Sequence, residues 1–167
     1  LGATGLKVTE KGTVAVNEHC QTAISHIYGV GDLIGPPGLA SSAMEQGRRA
    51  VCHALGLPEG QSASTIPVGI YTIPEMSSIG LDEVAGRKRY RDVMIGRSRF
   101  NEIARGQISG IRNGLLKMVA DPKGEYLLGV QIVGEGATEL IHLGQMALQY
   151  GATVDSFVEN IFNFPTL

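Results

Sequence analysis

Between Ile27 and Ser42 the chain gathers the residue types best suited to holding a ligand. Three glycines fall at Gly29-x-Gly31-x-x-x-Gly35, a carboxylate stands at Asp32, and a helix-forming stretch opens at Leu39-Ala40-Ser41. A glycine run after a strand can cradle a pyrophosphate, provided the helix starts inside the run so that its free N–H groups meet the phosphate. Here Pro36 and Pro37 delay the helix to Leu39, and that context fails. A different geometry fits better: Asp32 at the carboxyl end of a strand, where open α/β sheets bind ligands, with Gly31 letting a ligand chain pass close to the backbone. A carboxylate there accepts hydrogen bonds from sugar-like hydroxyls. The helix start near Leu39, Ala40 and Ser41 offers unpaired N–H groups and the positive end of a dipole to negative charge. Together they suit a hydroxylated chain ending in an electron-accepting ring. The same residues also fit an ordinary Gly-Asp turn before a helix capped by Ser41, and by themselves they leave both readings open.

The other reactive side chains carry less. Cys20 and Cys52, the only cysteines, lie far apart and match neither a redox Cys-x-x-Cys pair nor a zinc pattern, as expected in a reduced, cytosolic compartment. His19, Cys20 and His26 can be drawn as a metal cluster, but a hairpin-and-loop setting without a carboxylate partner points to surface placement. His142 sits off the apolar stripe of its helix, which suits a solvated or subunit-contact role. Arg87-Lys88-Arg89 with Arg91, beside Asp82 and Glu83, reads as a solvated surface.

These residues must be positioned by the 167 residues of the chain, enough for one domain and an appendage. A formal net charge of −2 with 18% charged residues gives no field that would draw the chain to nucleic acid or to an anionic membrane. No apolar run approaches the roughly 20 residues needed to cross a bilayer. A start at Leu1 and an end at Asn163-Phe164-Pro165-Thr166-Leu167 read as the edges of an excised piece. Lys7-Val8 and Thr13 to Val16 flank Glu10-Lys11-Gly12 as a short hairpin. Ile27 to Val30 reads as a buried strand. Ala40, Ala43, Met44, Gly47, Val51, Ala54 and Leu55 form one helical stripe expected to be buried, stopped by Gly56 and Pro58. Glu59 to Ser64 reads as a linker between residues 1–58 and residues 66–167.

The second part opens with an edge-type strand over Ile66 to Thr72, turns at Pro74-Glu75, and continues with a short helix over Asp82 to Arg87. Strands are expected over Tyr90 to Phe100, Leu115 to Ala120 and Tyr126 to Val133, the last two joined by an Asp121-Pro122-Lys123-Gly124 turn. Ala137, Leu140, Ile141, Gly144 and Leu148 give a helical stripe, and Thr153 caps a second helix carrying Val154, Phe157, Val158 and Ile161. Strands followed by helices make an α+β domain with a mixed or antiparallel sheet and helices on one face.

Thr22, Ile27-Tyr28-Gly29-Val30-Gly31-Asp32 and Leu39-Ala40-Ser41-Ser42-Ala43 resemble the second flavin-binding motif of the FAD-dependent pyridine nucleotide-disulfide oxidoreductases. Pro67, Ile73-Pro74-Glu75, Ser78-Ile79-Gly80 and Gly136-Ala137-x-Glu139-Leu140-Ile141 resemble that family's dimerisation domain. The resemblance implies the last segment of an α/β FAD-binding domain over 1–58. It also implies a dimerisation domain, truncated at its C-terminus, over 66–167. Its implied roles put the FAD ribitol on Asp32 beside Gly31, the flavin O2 edge on the amides of Leu39, Ala40 and Ser41, and the backbone carbonyl of Phe164 against the partner's flavin in a homodimer. Disulfide-reducing members end in His-Pro-Thr, whereas this chain has Phe164-Pro165-Thr166, and phenylalanine cannot move a proton. With Ala104-Arg105-x-Gln107-Ile108-Ser109-Gly110, that ending resembles the family's soluble transhydrogenases, which exchange hydride between NADH and NADP through FAD. NAD(P) would bind a region absent from this chain. A dihydrolipoamide dehydrogenase-like relative and a dimerisation module inactive on its own are the alternatives.

Overall fold

Alternation of apolar and polar residues along several short segments calls for a sheet with one covered face, and a 3.6-residue stripe calls for the helix that covers it. The computed structural model describes residues 2–61 and 65–167. It divides into two compact units, Leu1–Ser62 and Ala63–Leu167. Of the expected linker Glu59 to Ser64, residues 62–64 lie outside the described residues.

The first unit is mostly turns around one helix, α1 (Ala40–Ala54). The expected first hairpin is a single antiparallel bridge, Val8 to Val14, closed by the Gly12 N–H on the Thr9 carbonyl at 2.9 Å. Ile27 to Val30 is not the expected buried strand. Only Tyr28 bridges, to Gln21, and Val30 is exposed. A strand needs a ladder on at least one edge to satisfy its backbone, and among the described residues none runs beside this segment. The stripe on α1 also departs from expectation. Met44 and Val51 are 70% and 57% exposed, while Ser42 and Ala50 are buried. Periodicity defines a face; it does not supply a neighbour to cover it. The stop is as expected: the Gly56 N–H bonds His53 and the Leu57 N–H bonds Cys52, a Schellman end made possible by Gly56 at φ +65°.

The second unit is an antiparallel sheet of β1 (Val68–Ile70), β2 (Met76–Gly80), β3 (Met94–Arg99), β4 (Leu115–Ala120) and β5 (Leu127–Val133), in the order β1-β2-β5-β4-β3. Between the strands lie α2 (Glu83–Tyr90) and a five-residue α3 (Ala104–Ile108); α4 (Ala137–Gln149) and a single turn, α5 (Asp155–Val158), follow. Ile79 pairs with Val130 and Leu116 with Ile132, so the apolar side chains line one face. There they meet α4 through Ala137 and Ile141, both essentially inaccessible. Gly144 permits the approach: a Cβ added there would stand 2.8 Å from Val130 Cγ2. The stripe expected on this helix is the buried one.

β1 is an edge strand preceded by Pro67, and the turn from Asp121 to Gly124 joins β4 to β5 with Gly124 at φ +74°. Two elements escaped the sequence reading. β2 carries only Met76 and Ile79 as large apolar residues among small ones, which hides its alternation. α3 has Gly106 at its centre, where a Cβ would collide with the Phe100 carbonyl. The last helix is shorter than expected. Thr153 Oγ1 does accept the Ser156 N–H at 3.3 Å, but Ile161 lies beyond the turn and is fully exposed.

Candidate functional site

The site is built in the first unit. Thr22 is buried and closes the preceding loop: its hydroxyl accepts the Ile24 N–H and donates to the Ile24 carbonyl, both at 3.1 Å. Its own N–H bonds the Ile27 carbonyl at 2.9 Å. From extended Val30 the chain enters a 3-10 turn, Gly31–Ile34. Gly31 is buried at φ +70°, and an added Cβ would stand 3.3 Å from Ala43 Cβ on α1. Its N–H donates to Gln46 Oε1 at 2.7 Å, so a side chain one turn further along α1 pins this backbone. Gly31 is thus placed for both reasons that favour glycine, a left-handed dihedral and a close approach.

Asp32 projects from this turn and is exposed. Its carboxylate lies over Gly38, where a Cβ would stand 3.3 Å from Oδ1. Leu39, in extended conformation, is the N-cap residue of α1, and no side chain caps the helix. Ser41 therefore does not play the capping role that the plain-turn reading required of it. The Leu39 N–H is engaged by the Pro37 carbonyl at 3.0 Å. The amides of Ala40 and Ser41 open the helix without a capping side chain. Ser42 Oγ is buried with no hydrogen-bond partner among the described residues. The turn thus combines an exposed carboxylate, an uncapped helix N-terminus and an orphaned buried hydroxyl. A carboxylate receives hydroxyl donors, and an uncapped N-terminus receives partial negative charge. This donor and acceptor set fits a polyhydroxylated chain attached to an electron-accepting ring, the FAD of the expected family.

Phe164 belongs to the second unit, 84% exposed, in a cis peptide bond with Pro165. Arg87 pairs with Glu83 and Asp92, and Arg97 with Glu83, all among partly or fully exposed side chains, as the solvated reading expects. His142 is exposed against Gln145. Cys20 and Cys52 are free, and burial pushes the Cys20 thiol up.

One expectation fails here. His19 is half-buried, with Nδ1 2.6 Å from Glu59 Oε1, and its ring stacks on His53 at 4.2 Å. The missing carboxylate partner exists, 40 residues further on in the stretch read as linker. No local pattern joins two residues so far apart; only the turn at the end of α1 does.

The chain matches two family models: pyridine nucleotide-disulphide oxidoreductase, dimerisation domain, over residues 66–167, and pyridine nucleotide-disulphide oxidoreductase over residues 1–47. It is 44% identical over 162 residues to a soluble pyridine nucleotide transhydrogenase of Mycobacterium bovis, covering 97% of this chain and 35% of the relative. It is 42% identical to one from Vibrio atlanticus, covering 100% and 37%. The chain thus spans about a third of the length of these curated relatives. Among solved structures it is similar to LpdA of Mycobacterium tuberculosis, with a TM-score of 0.84 at 26% identity over 97% of this chain and 36% of the other. The HOCl-induced flavoprotein disulfide reductase RclA of Escherichia coli shares the fold, with a TM-score of 0.87 at 23% identity over 98% and 38%.

Proposed function

The chain belongs to the pyridine nucleotide-disulphide oxidoreductase family, and from that premise we propose that it serves a homodimeric, cytoplasmic flavoprotein that carries hydride between NADH and NADP through FAD. The observation that carries the flavin site is the uncapped start of α1 beside the Gly31–Asp32 turn. Bound there, FAD supplies a ring that accepts and returns hydride. Asp32 accepts hydrogen bonds from the hydroxyls of the ribityl chain, and Gly31 allows that chain to lie along the backbone. The extended backbone of Leu39 aims the amides of Ala40 and Ser41 at the ring edge. They and the helix dipole stabilise negative charge developing there.

Phe164 supports the choice of hydride exchange over disulfide reduction. A phenyl ring neither donates nor accepts a proton, so this chain provides no acid or base for a dithiol at that position. Its backbone carbonyl remains able to contact a partner's flavin. The likeness to transhydrogenases at 42% and 44% identity supports the same choice. The nicotinamide nucleotides are bound by sequence other than these residues. The exposed stripe of Met44 and Val51 on α1 packs against the remainder of a flavin domain in a protein of the relatives' length.

Purified protein containing this chain at the relatives' length should elute as a dimer with flavin absorbance under the protein peak. It should also reduce an NADP analogue at the expense of NADH without added thiol or disulfide. A colourless dimer at all FAD concentrations would leave only a dimerisation module. Turnover of a disulfide substrate in place of nucleotide exchange would overturn the hydride-exchange reading while leaving the flavin site intact.

A further inference from the structure

Away from the Gly31–Asp32 turn, three side chains from separate stretches of the first unit converge: His19 from the loop, His53 from the last turn of α1, and Glu59 from the segment beyond it. One potential ligand atom from each lies within 4.8 Å of the others, and no other group of three such residues occurs among the described residues. His19 Nδ1 is buried and 2.6 Å from Glu59 Oε1 with no hydrogen bond of good direction between them, so the two atoms stand close without the ring nitrogen pointing at the carboxylate. We infer that His19, His53 and Glu59 form a binding site for a divalent transition-metal ion of the zinc type.

The surroundings hold two of the three ligands, His53 and Glu59, as such sites require. Tyr28 OH lies 2.8 Å from His53 Nδ1, which fixes the ring and leaves Nε2 to offer. The second oxygen of Glu59 is held by Arg49, at 3.1 Å from one terminal nitrogen and 3.3 Å from Nε. That clamp leaves Oε1 free to face the imidazoles. The His19 and His53 rings stack at 4.2 Å, 13° from parallel, so the His19 ring turns out of the stack for both in-plane lone pairs to meet one ion. Two imidazoles and a carboxylate suit a borderline-soft ion such as Zn²⁺, and three protein ligands leave a fourth position open. Tetrahedral ligands about 2.0 to 2.2 Å from zinc stand roughly 3.3 Å apart. Binding therefore moves His19 Nδ1 and Glu59 Oε1, now 2.6 Å apart, further from each other by up to about an ångström. All three residues are half-buried, so the ion has access from solvent. Glu59 stands five residues past the end of α1, so the ion would tie that exit back to the loop at His19.

Calorimetric titration of the tag-free full chain with Zn²⁺ should show one ion bound per chain. His19→Ala, His53→Ala and Glu59→Gln should each weaken binding at least tenfold, while His142→Ala leaves it unchanged. Co²⁺ provides a reading that does not depend on variants: it should give the intense visible bands of a four-coordinate ion, abolished by one equivalent of Zn²⁺. Absence of saturable binding, equal binding by the His19→Ala/His53→Ala double variant, or only the pale spectrum of hydrated Co²⁺ would each overturn the site.

Discussion

Asp32 is the residue on which the flavin reading is most exposed to test, because its carboxylate projects from the turn and holds nothing else in place. Its backbone carbonyl closes the turn onto the Gly35 N–H at 3.1 Å, a contact indifferent to the side chain. Asp32→Ala should therefore leave the turn folded and remove only a charged acceptor. Losing charge-assisted hydrogen bonds to ligand hydroxyls should weaken FAD retention roughly ten- to a hundredfold. The flavin-to-protein absorbance ratio after gel filtration measures it, and an unchanged ratio would remove Asp32 from the site. Gly31 and Asp32 were legible in the sequence because a left-handed turn and a carboxylate declare themselves within a few residues. Glu59 was not, since its value comes from a fold-back onto His19 that no short pattern encodes. The Ser41 cap was a fair local expectation, but helix N-termini are capped only when the preceding residue supplies the oxygen, and here that residue is Leu39.

Among the elements, α4 shows how distant residues finish what local sequence leaves open. Its N-cap residue is Gly136, which has no side chain to give, and Glu75 substitutes from the turn before β2. Glu75 Oε2 accepts the Thr138 hydroxyl at 2.7 Å and the Thr138 N–H at 3.1 Å. Those bonds, the hydroxyl first and the amide second, hold the Glu75 carboxyl below the usual carboxylate range. A depressed carboxyl contributes stability that is fully present above its unfolded value, near 4.3, and is lost as the pH falls through the lower folded value. Thermal melts at about pH 6 and pH 3.5 should show a smaller acid-induced drop for Glu75→Gln than for the parent; equal drops would mean that Glu75 does not cap α4 in solution. The helix–sheet contact gives a second test. Replacing Gly144 by alanine gains about 1 kcal/mol of helix propensity, yet its Cβ would stand 2.8 Å from the stiff Val130 side chain. Overpacking of this kind costs about 1 to 3 kcal/mol, so the contact wins, and Gly144→Val should be worse than Gly144→Ala by urea unfolding. An alanine variant more stable than the parent would show that α4 lifts from β5 without cost. The stripe on α4 was readable because its partner sheet lies within the same unit. The identical kind of pattern on α1 misled, since Met44 and Val51 have nothing over them in the described structure.

At the scale of the whole molecule, the two units meet different fates: the second has a covered core, and the first displays more than it buries. The β4–β5 hairpin could be read from the Asp121–Gly124 turn and its alternation, because that pairing is local in sequence, whereas β2, which joins β5 from far earlier in the chain, could not. Assembly could not be read this way, since the outward side of a helix looks the same whether it meets water or another chain. Leu143, Met146 and Tyr150 recur at helical spacing on the side of α4 away from the sheet, 56%, 51% and 74% exposed. A contiguous apolar strip on a domain of the dimerisation type is the surface expected at a two-fold interface, where the same residues meet their own copies. Glutamates at Leu143 and Met146 would then face each other across the axis and desolvate like charges. The double variant should elute as a monomer with far-ultraviolet circular dichroism unchanged, because neither side chain supports the core of its own chain. If it still elutes as a dimer, the strip on α4 is not the interface.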